Sequence, residues 1–185
     1  MSKRISILGF DIETRKIGFH IGGKFNPDGC EPIAIAWSWN GKQVFCRQLT
    51  VDMPEDMLRD FVAAYDTADM VTGHYIRKFD LPIINGALME HGLDPLSAKM
   101  TCDTKNDLIT KAGWSSSQEN LAEMYELLED KYHMNDTRWR EATRLTPSGV
   151  AHTRIRVVND VKQQWALRKA LLELGYLASP TVWRP

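Results

Sequence analysis

The 185-residue chain has little of several things that would announce a function directly. No apolar run approaches the ~20 residues of a membrane-spanning helix. The short run after Met1-Ser2-Lys3-Arg4 is ended by Asp11, so the sequence predicts neither a secretory leader nor a membrane anchor. The three cysteines, Cys30, Cys46 and Cys102, are odd in number, scattered and never Cys-x-x-Cys. They predict free thiols in a reducing compartment. Five histidines lie far apart in sequence, which argues against a structural zinc site. Gly22-Gly23-Lys24 is followed by Phe25 where a phosphate-binding P-loop needs Ser or Thr. A net charge of −1 and a pI near 6.5 show no global excess of positive charge, so any nucleic-acid binding must rest on a local patch. Internal repeats and low-complexity tracts are absent as well.

What is present is ordinary for a soluble globular protein: 43% hydrophobic and 25% charged residues. The length predicts a single domain over 1–185 with room for a sizeable core. Ile5 to Thr14 reads as a strand, Ile33 to Trp39 as a second, and Lys42 to Leu49 as its partner across an Asn40-Gly41 hairpin. The glycine-rich segment from Thr14 to Pro32 reads as a long loop leaving the first strand. A helix is expected over Met53–Tyr65, capped by Asp52, then a short strand at Asp69–His74 and a helix from Asp80 to His91, stopped by Gly92. Met100–Asp103 reads as a strand, and Thr104–Lys111 and Gln118–Asp130 as helices, the latter with an acidic solvated face. Residues 131–153 read as irregular, and Arg154–Gly175 as the last long helix. Strands first, then helices alternating with short strands, predict an α/β fold: a three-stranded antiparallel meander plus parallel strands, flanked by helices.

Chemistry concentrates at the end of the first strand. Side chains alternate between faces, so Asp11 and Glu13 share one face and stand roughly 7 Å apart along the backbone. Two such carboxylates repel unless a cation lies between them. Mg²⁺ or Mn²⁺ suits them, because hard ions prefer oxygen ligands. Asp80 lies where a strand end meets a helix start, a position that also suits a helix cap. Asp160 lies in the last helix beside Val157, Val158 and Val161, where an acid is costly unless paired or coordinated.

In this order, Phe10-Asp11-Ile12-Glu13-Thr14, Gly73-His74-Tyr75 followed by Phe79-Asp80, and Val158-Asn159-Asp160-Val161 resemble the three motifs of the DnaQ-like, or DEDD, 3′→5′ exonucleases, a ribonuclease H-like family. The likeness spans about Ile5 to Leu174 and is nearest to small stand-alone members from bacterial and phage genomes. It implies a ribonuclease H-like fold and two Mg²⁺ or Mn²⁺ ions held by Asp11, Glu13, Asp80 and Asp160. It implies hydrolysis of a DNA or RNA single strand from its 3′ end by a two-metal mechanism, in the cytoplasm of a bacterial or phage-infected cell. Two positions depart from the pattern. Tyr75 stands where Asn is frequent, and Arg156 and Ile155 stand where members carry Tyr or His ahead of the third aspartate. His152, a metal-activated water alone, or Arg156 acting as a phosphate clamp are the candidates for the missing role.

The local patch required by the neutral overall charge is found in residues 138–169. Eight basic residues there face two acids, Glu141 and Asp160, for a net charge of +6, with Trp139 and Trp165 interleaved. Basic segments with aromatics hold phosphates and stack bases. Arg138, Arg140, Arg144, Arg154 and Arg156, with Thr14 from the first motif, are the nucleic-acid-binding candidates. The alternatives to an exonuclease are a non-catalytic nucleic-acid-binding relative and an endonuclease on the same scaffold.

Overall fold

The computed structural model describes residues 5–16, 29–110, 115–127 and 132–185. Along the chain run β1 (Ile7–Lys16), β2 (Cys30–Trp39), β3 (Val44–Gln48), α1 (Pro54–Thr67), β4 (Met70–Gly73) and α2 (Asp80–Glu90). There follow β5 (Lys99–Asp103), α3 (Gln118–Met124), α4 (Asp136–Thr143), α5 (Pro147–Glu173) and β6 (Thr181–Trp183). The strands form one sheet in the order β3-β2-β1-β4-β5-β6. The meander β3-β2-β1 is antiparallel, β1-β4 and β4-β5 are parallel, and β6 returns antiparallel to β5. This is the mixed, helix-flanked sheet expected of a ribonuclease H-like fold.

The alternation in β1 divides the molecule. Leu8, Phe10 and Ile12 face the main core with Ile33, Ile35 and Trp37 of β2 and with Met57, Leu58, Phe61 and Tyr65 of α1. Leu81, Ile84 and Leu88 of α2 close the same core. The opposite face of the meander carries small residues, Ala34, Ala36 and Cys46, and on these lie Val157 and Val161 of α5. Small side chains allow the helix to approach the sheet closely. At Gly9 the approach is closer still, since a Cβ there would lie 2.3 Å from Trp165 Nε1. Buried Gln48 fixes the start of α5 to β3 through hydrogen bonds to the Val150 carbonyl (2.6 Å) and the Thr153 hydroxyl (3.1 Å). Asn40 and Gly41 both adopt positive φ, 50° and 70°, the backbone that a two-residue hairpin demands.

Several expectations are corrected. Asp52 does not cap α1; its Oδ2 accepts the Gln48 N–H instead (2.9 Å), and Met53 is the cap residue without a side-chain bond. The Thr104–Lys111 helix is a turn over residues 104–107, because Asp103 and Asp107 draw the backbone N–H groups into local hydrogen bonds. Most of the described part of 132–153 is helical rather than irregular, with α4 over Asp136–Thr143 and α5 beginning seven residues earlier than expected, at Pro147. Asn135 caps α4 and Thr146 caps α5, with Pro147 in the first turn, a start signal hidden in polar sequence. The tail, given no element in advance, supplies β6. Helix α3 stops at Met124 rather than running on to residue 130, with Glu126 turning out at a φ of 53°. Residues 17–28 of the long loop, Lys111 and residues 128–130 lie outside the described residues.

Helices α4 and α5 cross at Gly149, where a Cβ would meet the Glu141 carbonyl oxygen at 2.3 Å and the Ala142 nitrogen at 2.4 Å. Both obstacles are backbone, so the helices would have to part. Gly149→Ala should lower the unfolding free energy by about 1–3 kcal/mol, read from a denaturant midpoint. An unchanged midpoint would show that the crossing opens without cost.

Candidate active site

The parallel register of β1 on β4 runs from Ile7↔Met70 to Gly9↔Thr72. Beyond it β1 continues without its β4 neighbour, and there Asp11 and Glu13 emerge. On the other side β1 stays paired with β2, through a register shift between Glu13 and Thr14. Bulges of this kind re-aim side chains near functional sites. Where β4 has ended, the buried Ile12 N–H is taken by Asp80 Oδ1 at 3.2 Å. Asp80 thus extends the sheet edge from the first turn of α2, whose cap residue is Phe79.

Helix α5 crosses this strand end on the opposite face from the main core and delivers Asp160. Ligand oxygens of Asp11, Glu13 and Asp160 gather within 4.8 Å of one another. Arg156, one turn earlier, places Nε 2.9 Å from Glu13 Oε1 and 3.3 Å from Asp160 Oδ2. Its guanidinium carbon lies 5.7 Å from the centre of the Trp139 ring. The cleft, about 280 Å³, is lined by these acids, Arg156, His74 and a wall from α3 and α5: Ser117, Gln118, Glu119 and Gln163.

Burial and mutual repulsion set the protonation of these acids. Burial first, then the charges of Asp80, Asp160 and Glu13, raise Asp11 well above the ordinary carboxylate range. Burial lifts Glu13 to about 7 against the attraction of Arg156. Asp80, only 2% exposed, is also raised, chiefly by burial. His74 is lowered to about 4 by burial, so its imidazole is neutral at working pH. Its Nδ1 lies 3.0 Å from the Thr104 hydroxyl, which itself donates to the Gly73 carbonyl. Nε2 is buried, with the Ser116 backbone beside it.

The loop that carries His74 toward Asp80 is held by Asp103. Its Oδ1 accepts the N–H groups of Tyr75 (2.9 Å), Lys105 (3.0 Å) and Asn106 (3.0 Å). Its Oδ2 accepts from Arg77 N (3.2 Å) and Asn106 Nδ2 (2.8 Å). Burial alone would raise this carboxyl, but these donors, Asn106 foremost, hold it below its ordinary value. Tyr75 has φ of 68°, a left-handed conformation that Asn adopts more readily than Tyr. Its ring turns to Lys105, whose Nζ lies 4.3 Å from the ring centre, and does not line the cleft.

The remaining expected residues are distributed unevenly. Thr14 is half-buried beside the register shift. Arg140 is exposed on α4 and Arg144 is exposed at its C-terminal cap. Arg138 donates to the His133 carbonyl (2.5 Å) and lies over the Tyr132 ring. Arg154 faces the Cys46 side of α5, whereas Arg156, two residues on, points to the acids. His152 is inside α5 rather than in a loop ahead of it. Its Nδ1 bonds the Tyr132 hydroxyl and its Nε2 lies 3.2 Å from Ser148 Oγ, so both ring nitrogens are engaged away from the acids. Sequence reading missed His74 and the α3 wall. His74 sits inside the second motif, whereas nothing in the Ser117-Gln118-Glu119 string marks it as cleft lining.

No protein-family model matches the chain, and no curated relative matches it. Among solved structures 160 chains match. One is the family B DNA polymerase from the hyperthermophilic archaeon Pyrobaculum calidifontis, with a TM-score of 0.69 and 16% sequence identity. The match covers 91% of this chain but 25% of the polymerase, so the chain spans about a quarter of that protein's length. At this identity the likeness establishes the fold.

The raised carboxyls fix the sign of a pH effect. In the folded chain Glu13 keeps its proton up to about 7, whereas in the unfolded chain it releases it near 4.5. Its contribution to stability is full below the unfolded value and is lost as pH rises through the folded one; Asp11 and Asp80 act in the same direction. The melting temperature in EDTA should therefore fall between about pH 5 and about pH 8, and Mn²⁺ should oppose the fall at the alkaline end. A melting temperature that climbs across this interval in EDTA would contradict the burial of these acids.

Proposed function

We propose that the chain is a divalent-metal-dependent nuclease that removes nucleotides from the 3′ end of single-stranded DNA or RNA. The observation that carries the reading is the convergence of Asp11, Glu13 and Asp160 oxygens within 4.8 Å, at the floor of a cleft, on a ribonuclease H-like sheet. The donor set is all carboxylate oxygen, which fits Mg²⁺ or Mn²⁺ and does not favour softer metals. Two ions are proposed, with Asp11, Glu13 and Asp160 as direct ligands. Asp80 is not among the converging oxygens; its Oδ1 accepts the Ile12 N–H, and it is proposed as a further ligand through its other oxygen. Such ions, when bound, supply Lewis acidity toward the phosphate and lower the pKa of water.

The chain's own residues supply the rest. Arg156, permanently charged, is placed to bind the scissile phosphate and stabilise the charge that builds there. The neutral imidazole of His74 lines the cleft beside these acids. With both nitrogens of His152 engaged by Tyr132 and Ser148, the reading assigns water activation to the metal centre and no base role to His152. Arg140 and Arg144, exposed on and at the C-terminal cap of a helix packed against α5 and β1, are the proposed contacts to the incoming strand. The similarity to a DNA polymerase supports a nucleic-acid substrate.

Asp11→Asn should abolish Mn²⁺-dependent shortening of a 3′-tailed, 5′-labelled oligonucleotide while leaving the circular dichroism spectrum unchanged. Parental rates in that variant would sink the site assignment. A circular single strand left intact supports exonuclease action, whereas cutting it would establish an endonuclease instead.

Binding is tested separately. Replacing Arg140 and Arg144 together with Gln should weaken binding to a labelled strand and reduce the slope of log K against log salt by roughly 1.4, about 0.7 per phosphate contact on a single strand. A parental slope would place the phosphate contacts elsewhere.

A further inference from the structure

Arg156 stands where the resembling family carries a tyrosine, and its position does more than fill that space. Its Nε–H donates to Glu13 Oε1 at 2.9 Å, and the same nitrogen forms an ion pair with Asp160 Oδ2 at 3.3 Å. These are two of the three carboxylates whose oxygens converge. The guanidinium therefore lies among the ligands that a divalent ion would need. It cannot leave by losing its proton, because a guanidinium stays charged at any working pH. It is half-buried, and the surrounding acids are strongly desolvated, so the attraction is screened less than between surface groups. Behind it lies the Trp139 ring, 5.7 Å from its carbon, a face that attracts a cation.

We infer that Arg156 is the resident cation of the acid centre: it neutralises Glu13 and Asp160 when no divalent ion is bound, and a divalent ion binds by displacing it toward Trp139. The inference rests on the metal-dependent reading above and adds a competition to it. Three converging carboxylates with a fourth behind them would bind Mn²⁺ strongly if unopposed. With a positive charge already among them, each ion must displace Arg156 or share its ligands, so affinity is held down. A displaced guanidinium is free to take the substrate phosphate, so strand and metal assist one another's binding, as linkage requires.

The test is Mn²⁺ binding, followed by loss of the free-ion electron paramagnetic resonance signal at constant ionic strength without substrate. Arg156→Gln should bind Mn²⁺ on the order of tenfold more tightly than the parent, and Arg156→Lys, which keeps the charge, should stay near parental. Equal or weaker binding by Arg156→Gln overturns the competition. If neither the parent nor any folded variant takes up Mn²⁺, the metal-dependent reading itself falls, a result distinct from equal affinities. The metal-free state gives a second readout in EDTA. Above about pH 8, where Glu13 is ionised in the parent, Arg156→Gln should melt below the parent, and the double variant with Glu13→Gln should recover part of that loss, because the stranded charge is gone. A double variant no more stable than Arg156→Gln alone removes the neutralising role, and this comparison stands even where the single variant is poorly folded.

Discussion

Repulsion among acids buried at the end of one strand governs this molecule. Asp11 and Glu13 project from β1 past the end of β4, Asp80 closes the strand edge from α2, and Asp160 descends from α5. Left alone, these groups would drive the sheet end and the long helix apart or hold protons to avoid it. The raised pKa values of Asp11, Glu13 and Asp80 show the second response. Arg156 supplies a partial first-order remedy by bridging Glu13 and Asp160. A centre of this kind spends stability to keep its carboxylates converged.

The rest of the architecture can be understood as holding that convergence in place. Small residues on β2 and β3 let α5 lie close to the sheet, and Gln48 fixes its first turns. Gly149 brings α4 against α5, so that Trp139 reaches Arg156. On the other side, Asp103 gathers five N–H groups from the β4–α2 loop and its own turn. That loop carries the strained Tyr75 backbone and His74 before it reaches Asp80. Arg77 joins the same loop to Asp107 and to Thr181 in β6. The short terminal strand is therefore tied to the second motif.

Arginine at position 156 acts on this centre electrostatically. A guanidinium stays charged at any working pH, so it changes the net charge beside Glu13 and Asp160 and sets the terms on which another cation could reach them.

The sequence by itself determined the meander, the hairpin at Asn40-Gly41, and the same-face pairing of Asp11 with Glu13, because period-two alternation and turn chemistry are local. It also marked Asp80 and Asp160 through motif order. It did not reveal α4 or the true start of α5, since their polar sequence hides the caps at Asn135 and Thr146. It misread the Thr104 turn as a helix, because the carboxylates that claim its N–H groups act through tertiary placement of Asp103. Only the tertiary structure decided that Arg156 points to the acids while Arg154 points to Cys46, and that His152 is engaged by Tyr132. Side chains two residues apart on a helix face nearly opposite ways, and which way is inward depends on how α5 lies on the sheet. That docking is fixed by Gly9, Ala34 and Ala36, residues whose role is to be small and whose sequence carries no chemical signal.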